Sequence, residues 1–276
     1  MRIALVQQTA SPDRRRNRER GLAAIESAAK QGAQLVCFAE LAFDPFYPQD
    51  PAAADSLEQA EPVPGPTTQA FAAHAAARGV VLVLNVFERD GTRAYDTSPV
   101  IDADGRLLGK TRMVHITDYA CFHEQGYYTP GDAGAPVYDT ACGRIGVAIC
   151  YDRHYPEYMR ALALAGAELV VVPQAGAAGE WPEGLFEAEM RVAAFQNGYF
   201  TALCNRVGPE SRLTFAGGSF VCDPAGRVIA RAGEGTEEIL LCDLDLAQVA
   251  RSHARTLFFR DRRPELYGAW LRRPPD

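Results

Sequence analysis

A thiol, a carboxylate and an ammonium stand where three elements of the chain end. Gly143-Arg-Ile-Gly-Val-Ala-Ile-Cys150 is an apolar run of buried-strand type that closes on a cysteine, after which Tyr151-Asp-Arg-His-Tyr-Pro156 turns into a helical pattern. A side chain at such a turn stands exposed, where backbone N–H groups can face a developing oxyanion. Leu35-Val-Cys-Phe-Ala-Glu40 closes on a carboxylate, and Leu107-Leu-Gly-Lys110 on an ammonium. A free thiol has a pKa of ~8.5, so attack at neutral pH needs deprotonation. A carboxylate can take that proton, and an ammonium favours both the thiolate and the later oxyanion. Glu40, Lys110 and Cys150 supply these roles, but 70 and 40 residues separate them, so only the fold can unite them.

The periodicity of the chain predicts the frame that must do so. Arg2–Gln7 reads as a strand and Arg14–Gln31 as a helix with a stripe through Leu22, Ile25 and Ala29. Ala33–Glu40 is a strand, Leu41–Pro66 a long loop, Thr67–Arg78 a helix and Val80–Phe87 a buried strand. Ala94–Asp102 and Arg106–Arg112 bracket the hairpin turn Asp104-Gly105, and Met113–Gly134 is irregular and aromatic. Val137–Thr140 pairs with Gly143–Cys150, Glu157–Ala165 and Glu183–Gln196 are helical, and Leu169–Pro173 and Tyr199–Asn205 are strands. Ser219–Cys222 and Val228–Arg231 flank a turn, Ile239–Asp243 is the last strand, and Leu246–His253 a short helix before the tail Phe258-Phe-Arg-Asp-Arg-Arg-Pro-Glu-Leu-Tyr267. Strands that alternate with helices and then come as hairpins predict an α/β fold of mixed sheets with helices outside. No change of composition marks a linker, so residues 1–276 read as one domain.

At 276 residues the chain can bury ~75% of its unfolded surface without staples. A net charge of −7 leaves no basic footprint for nucleic acid. No apolar run reaches the ~20 residues of a membrane span, and Met1-Arg-Ile-Ala-Leu-Val-Gln7 enters a strand directly, so neither a membrane partner nor a signal peptide is expected. Seven cysteines, none in a Cys-x-x-Cys pair, argue against a zinc ribbon and a disulfide framework, and for a reducing cytoplasm. Of 28 basic residues only Lys30 and Lys110 are lysines, which draws attention to Lys110 as a place where a compact ammonium is needed. Gly105-Arg-Leu-Leu-Gly109-Lys110-Thr111 has one residue too few between its glycines for a phosphate loop, and no helix pattern follows.

Phe38-Ala-Glu40-Leu, Gly109-Lys110-Thr-Arg-Met-Val-His115 and the Cys150 segment together resemble the nitrilase superfamily of carbon–nitrogen hydrolases. Thr129-Pro-Gly-Asp132, Ala165-Gly-Ala-Glu168, Asn205-Arg-Val-Gly208 and Gly218-Ser219 extend the similarity over nearly the whole chain, in order. The resemblance implies a four-layer αββα sandwich with Glu40, Lys110 and Cys150 as the triad. Glu124 matches a second glutamate that orients Lys110 and the substrate, and the Tyr151 N–H would share the oxyanion with Lys110. It also implies a homodimer, with residues 256–276 contacting the partner, and no metal or organic cofactor. Ala39 stands where many members have proline, and Asp44-Pro-Phe-Tyr47 replaces a common Gly-Tyr, which bears on the pocket wall. His115 and His154 are not expected to serve as a base, because the superfamily uses none.

Arg153, three residues past Cys150, is the residue that bears on substrate. Arginine pairs bidentately with carboxylates, and Cys-x-x-Arg is similar to β-ureidopropionases and N-carbamoyl amino acid amidohydrolases, where this arginine holds the substrate carboxylate. The alternative for Arg153 is an ion pair with Glu157 or Asp152. The expected reaction is hydrolysis of an N-carbamoyl amino acid such as N-carbamoyl-β-alanine, with Trp181 lining the pocket and Phe186 either lining it or packing in the core. The tail resembles the N-carbamoylputrescine branch, which keeps that substrate as the alternative, beside a short-chain amidase or ω-amidase. A true nitrilase and a binding protein without turnover rank last.

Overall fold

The computed structural model describes residues 1–272. Its strands are β1 (Arg2–Gln7), β2 (Leu35–Phe38), β3 (Val81–Val83), β4 (Val86–Asp90), β5 (Arg93–Ile101), β6 (Leu107–Arg112), β7 (Val137–Thr140), β8 (Gly143–Val147), β9 (Leu169–Gln174), β10 (Phe200–Asn205), β11 (Val207–Pro209), β12 (Thr214–Ala216), β13 (Phe220–Cys222), β14 (Val228–Arg231) and β15 (Glu238–Asp243). Its helices are α1 (Arg14–Lys30), α2 (Pro66–Arg78), α3 (Pro156–Leu164), α4 (Leu185–Asn197), α5 (Ala247–Arg251) and α6 (Pro264–Trp270). The strands form a seven-stranded mixed sheet, β15-β1-β2-β3-β5-β4 with β6 on the other edge of β5, and a six-stranded mixed sheet, β14-β13-β10-β9-β8-β7. β11 and β12 make a separate hairpin.

The two sheets pack face to face with helices on both outer surfaces, an αββα sandwich. Strand parity produces the layering. Leu169 and Val171 of β9 join the core between the sheets with Ile3, Leu5, Phe38 and Val147, whereas Val170 and Val172 turn outward to Met159, Leu162, Met190 and Ala194 of α3 and α4. On the other surface Ile25 and Ala28 of α1 and Phe71 and Ala75 of α2 cover the seven-stranded sheet. The helix starts follow local chemistry: Asp13 accepts from the Arg16 N–H at 3.0 Å, and Pro66 and Pro156 open α2 and α3, where a missing N–H costs nothing.

The expected strand Val80–Phe87 is two strands on one edge of β5: Leu82 and Val83 pair with Ile101 and Val100, and Val86–Asp90 with Thr97–Arg93. The break falls at Leu84 and Asn85, and buried Asn85 uses its side chain on the loop after Glu40. The β11–β12 hairpin was not expected. No helix among the described residues is long and apolar enough to cross a membrane. Residues 273–276 of the expected 256–276 tail lie outside the described residues.

Candidate active site

The apolar run of β8 continues through Ala148 and Ile149 and delivers Cys150 to the start of a 3₁₀ turn, Cys150–His154. Cys150 has φ +39°, a conformation disfavoured for a residue with a side chain. Its surroundings impose it. Ala148 N–H donates to Val171 O at 3.0 Å, Asp152 N–H to Ile149 O at 2.8 Å, and Arg153 Nη1 to the Cys150 carbonyl at 2.8 Å. Buried Asp152 braces the turn from below, accepting from the His115 N–H at 3.0 Å and its Nδ1 at 2.7 Å. His115 stacks on Tyr155 at 3.5 Å and props the turn.

Glu40 lies two residues beyond β2 and is fully buried. Leu41, next to it, has φ +44°, held by its N–H on Asn85 Oδ1 at 2.7 Å and by Arg206, which donates to the carbonyls of Glu40, at 2.9 Å, and Leu41. The Glu40 carboxyl sits against Cys150, Asp96 and Glu124, yet neither of its oxygens is in a hydrogen bond of ordinary geometry. Burial first and Glu124 second push its pKa up to about 7, a value suited to a base at neutral pH. Glu124 opens its own 3₁₀ turn, accepts from the Thr117 N–H at 3.2 Å and is held well above the usual carboxylate range by burial. Asp96, clamped by Asn85 Nδ2 at 2.5 Å, is raised likewise by burial and then by Glu40. Burial and Glu40 raise the Cys150 thiol; Arg153 acts against them.

Lys110 is not part of this site, which corrects the expected triad. Alternation along β6 sends Lys110 and Arg112 to one face, where both bind the buried carboxylate of Glu88; Lys110 Nζ also donates to Val63 O at 3.3 Å. Thr111 and Met113 take the other face. Thr111 meets the Tyr138 hydroxyl at 3.0 Å, and Met113, fully buried in the same core as Cys150, donates its N–H to the carbonyl of Asp96, the residue beside Glu40. A buried thioether thus stands on the face of this segment opposite Lys110.

Arg153 is 4% exposed and well occupied. Besides the Cys150 carbonyl it binds Glu189 through Nε at 3.2 Å, lies over the Phe186 ring at 4.7 Å, and brings Nη1 within 4.0 Å of Cys150 Sγ. Its acid partner is therefore Glu189, not Glu157 or Asp152. The Tyr151 N–H makes no hydrogen bond among the described residues, and its ring rests on His154 and Tyr155. Trp181 meets the rings of Tyr119 and His154 at 6.0 and 5.4 Å, and its buried Nε1 has no partner among the described residues. Glu180 also bears on Cys150; it accepts from the Tyr119 hydroxyl at 2.6 Å and the Ala177 N–H at 2.9 Å. Beside these residues opens a cavity of about 550 Å³ walled by Trp181, Phe186 and Phe215, whose charged lining residues are Glu183 and Glu234.

Sequence reading missed Asn85, Asp96, Met113, Glu180, Glu189 and Arg206. Met113 and Arg206 stand within motifs noted in the sequence, Gly109-Lys110-Thr-Arg-Met-Val-His115 and Asn205-Arg-Val-Gly208; strand pairing brings in Asn85 and Asp96, the loop before α4 brings Glu180, and the packing of α4 on the Cys150 turn brings Glu189. The arrangement places a carboxyl of raised pKa against a thiol at a strained turn, with an N–H one residue on that has no partner among the described residues.

A model of the carbon–nitrogen hydrolase family matches residues 2–254. The chain is 34% identical over 261 residues to an N-carbamoylputrescine amidase of Solanum lycopersicum, covering 90% of this chain and 87% of that one. A carbon–nitrogen hydrolase from Helicobacter pylori G27 superposes with a TM-score of 0.93 at 30% identity, covering 100% and 99% of the two chains. A mutant of the amidase from Nesterenkonia sp. AN1, with an acetamide moiety covalently added at its active-site cysteine, superposes with a TM-score of 0.83 at 30% identity, covering 98% and 96%.

Proposed function

The chain belongs to the carbon–nitrogen hydrolase family, whose members here are amidases acting on amide or ureido groups, and on that footing we propose that it hydrolyses a ureido compound with an amine at its far end, of the N-carbamoylputrescine type. Cys150 is the nucleophile and Glu40 the base. Glu40 takes the Sγ proton as sulfur attacks the ureido carbonyl, and the Tyr151 N–H faces the oxyanion. Glu40 returns the proton to the departing nitrogen, leaving a carbamoyl thioester. Glu40 then deprotonates water for attack on that thioester; the C–S bond breaks, Glu40 returns the proton to the Cys150 sulfur, and the carbamate released gives carbon dioxide and ammonia. Glu124 positions the ureido group.

The observation that carries the substrate assignment is the cavity beside Trp181, with aromatic walls and only carboxylates, Glu183 and Glu234, among its charged lining residues. A cation is favoured against such faces and such charge. Glu180 adds negative charge nearer Cys150. Arg153, on which the carboxylate substrate rested, is partly neutralised by Glu189. N-carbamoyl-β-alanine stands as a second reading, because Nη2 of Arg153 has no partner among the described residues.

Ammonia release from N-carbamoylputrescine, N-carbamoyl-β-alanine, succinamate and a small nitrile tests the order. The amine-ended substrate should lead in kcat/KM by about tenfold or more; a lead for N-carbamoyl-β-alanine reverses the assignment in favour of Arg153. Exposed Leu164, Phe258, Trp270 and Leu271 support the reading of α3 and the tail as a dimer surface, and the free thiols support a cytoplasmic location.

A further inference from the structure

Thiolate chemistry in a buried site needs a positive charge, and β6 does not deliver one. Lys110 is held by Glu88 on one face, and the residue buried on the opposite face is Met113. Arg206 is close to Glu40, but its guanidinium donates to the carbonyls of Glu40, Leu41 and Asp44 and to Glu210. Arg153 is the remaining cation against the thiol. Three contacts fix it: Nε on Glu189 at 3.2 Å, Nη1 on the Cys150 carbonyl at 2.8 Å, and the Phe186 face at 4.7 Å. With those in place Nη1 stands 4.0 Å from Sγ.

We propose that Arg153 is a catalytic residue that stabilises the Cys150 thiolate, in place of an ammonium from β6. The proposal rests on the reading of Cys150 as the nucleophile. When the S–H proton passes to Glu40, the negative charge left on Sγ faces Nη1; Arg153 keeps its own protons and forms no covalent bond. When the sulfur pair enters the bond to the carbonyl carbon, that charge moves to the carbonyl oxygen, and Arg153 has then served the attack step. Glu189 and Phe186 are positioning residues for the guanidinium. Burial and Glu40 oppose the thiolate, and of the cations Arg153 acts most against them. The guanidinium at 4.0 Å is thus the group that offsets burial and the neighbouring carboxyls in favour of the thiolate.

The test is alkylation of Cys150 by iodoacetamide between pH 5 and 10, read on the Cys150 peptide by mass spectrometry in the full-length protein, the other six cysteines serving as internal controls. Arg153→Gln should slow Cys150 alkylation at pH 7 by about tenfold and move its profile up by about one pH unit. Arg153→Lys keeps a charge and should fall between the two, which separates charge from packing if the glutamine variant folds poorly. A wild-type profile no different from that of the two variants, including a thiol inert in all three, overturns the assignment. Ammonia release from N-carbamoylputrescine by the wild-type protein is measured in parallel. Its absence with a wild-type alkylation profile that still depends on Arg153 refutes the hydrolase reading alone.

Discussion

Lys110 and Met113, three residues apart, leave the same β-strand segment on opposite faces: Lys110 reaches the buried carboxylate of Glu88, and Met113 packs into the core that holds Cys150. Moving an ammonium across that strand should therefore change the chemistry, and removing the existing one should not. Met113→Lys puts a cation beside Asp96 and near Glu40, where carboxyl groups outnumber cations. It should raise kcat/KM at pH 6 by about tenfold, because the charge lowers the pKa of Glu40 and favours the thiolate. Lys110→Met should leave kcat within about twofold and lower stability by about 1 kcal/mol, since Glu88 keeps Arg112 and Thr97. A large loss of kcat in Lys110→Met with folding intact overturns the placement of this lysine outside the site.

The pH profile of the wild-type enzyme follows from Glu40. As the proposed base it must be ionised, and its pKa stands at about 7 because burial and Glu124 penalise the charged form. Activity is lost as pH falls through that value. The quantity kcat/KM should thus climb about tenfold per pH unit below 6 and level off above about 7.5. A flat profile from pH 5.5 to 8 removes Glu40 from the role of base.

The same shift bears on stability. Between the ordinary value of 4.5 and about 7 the folded protein holds a proton on Glu40 that the unfolded chain has released, so this group's contribution falls as pH rises across that window. Glu40→Gln removes the penalty. Relative to wild type it should gain roughly 2–3 kcal/mol between pH 4.5 and 8, while losing ammonia release by a factor of about 10³ or more. Urea titrations at the two pH values read the first, and a constant difference between them contradicts the burial of an ionised Glu40.

The frame was legible because it depends on local periodicity: the alternation in β9 and the run ending at Cys150 both identify strands before any contact is known. The positions of Glu40 and Cys150 at element ends were legible for the same reason. Lys110 was misplaced because the match of Gly109-Lys110-Thr-Arg-Met-Val-His115 carries no parity. Which of two adjacent strand residues faces the site depends on pairing with β5, and a one-residue difference exchanges the faces. For Arg153 neither Glu157 nor Asp152 proved to be the acid partner. Glu189 comes from α4, 36 residues away in the chain, and only the packing of α4 on the Cys150 turn brings it there.

Arg206 ties the two sheets together at the site, and its removal should affect both fold and chemistry. It is 1% exposed, follows β10, and donates to the carbonyls of Glu40, Leu41 and Asp44 across the interface, with Glu210 as its acid partner and Phe215 beneath at 5.1 Å. Leu41 needs this hold, since φ +44° is unfavourable for leucine and relaxation of that residue would swing Glu40 away from Cys150. Arg206→Met leaves Glu210 uncompensated and should cost about 3–5 kcal/mol. Arg206→Lys keeps the charge but cannot reach three carbonyls with one ammonium in the geometry of a planar fork. Its stability should recover in part, while kcat remains low with KM little changed, because the base is displaced and the cavity beside Trp181 is intact. Full recovery of kcat in Arg206→Lys contradicts a positioning role that depends on the guanidinium fork and leaves charge balance with Glu210 as the explanation.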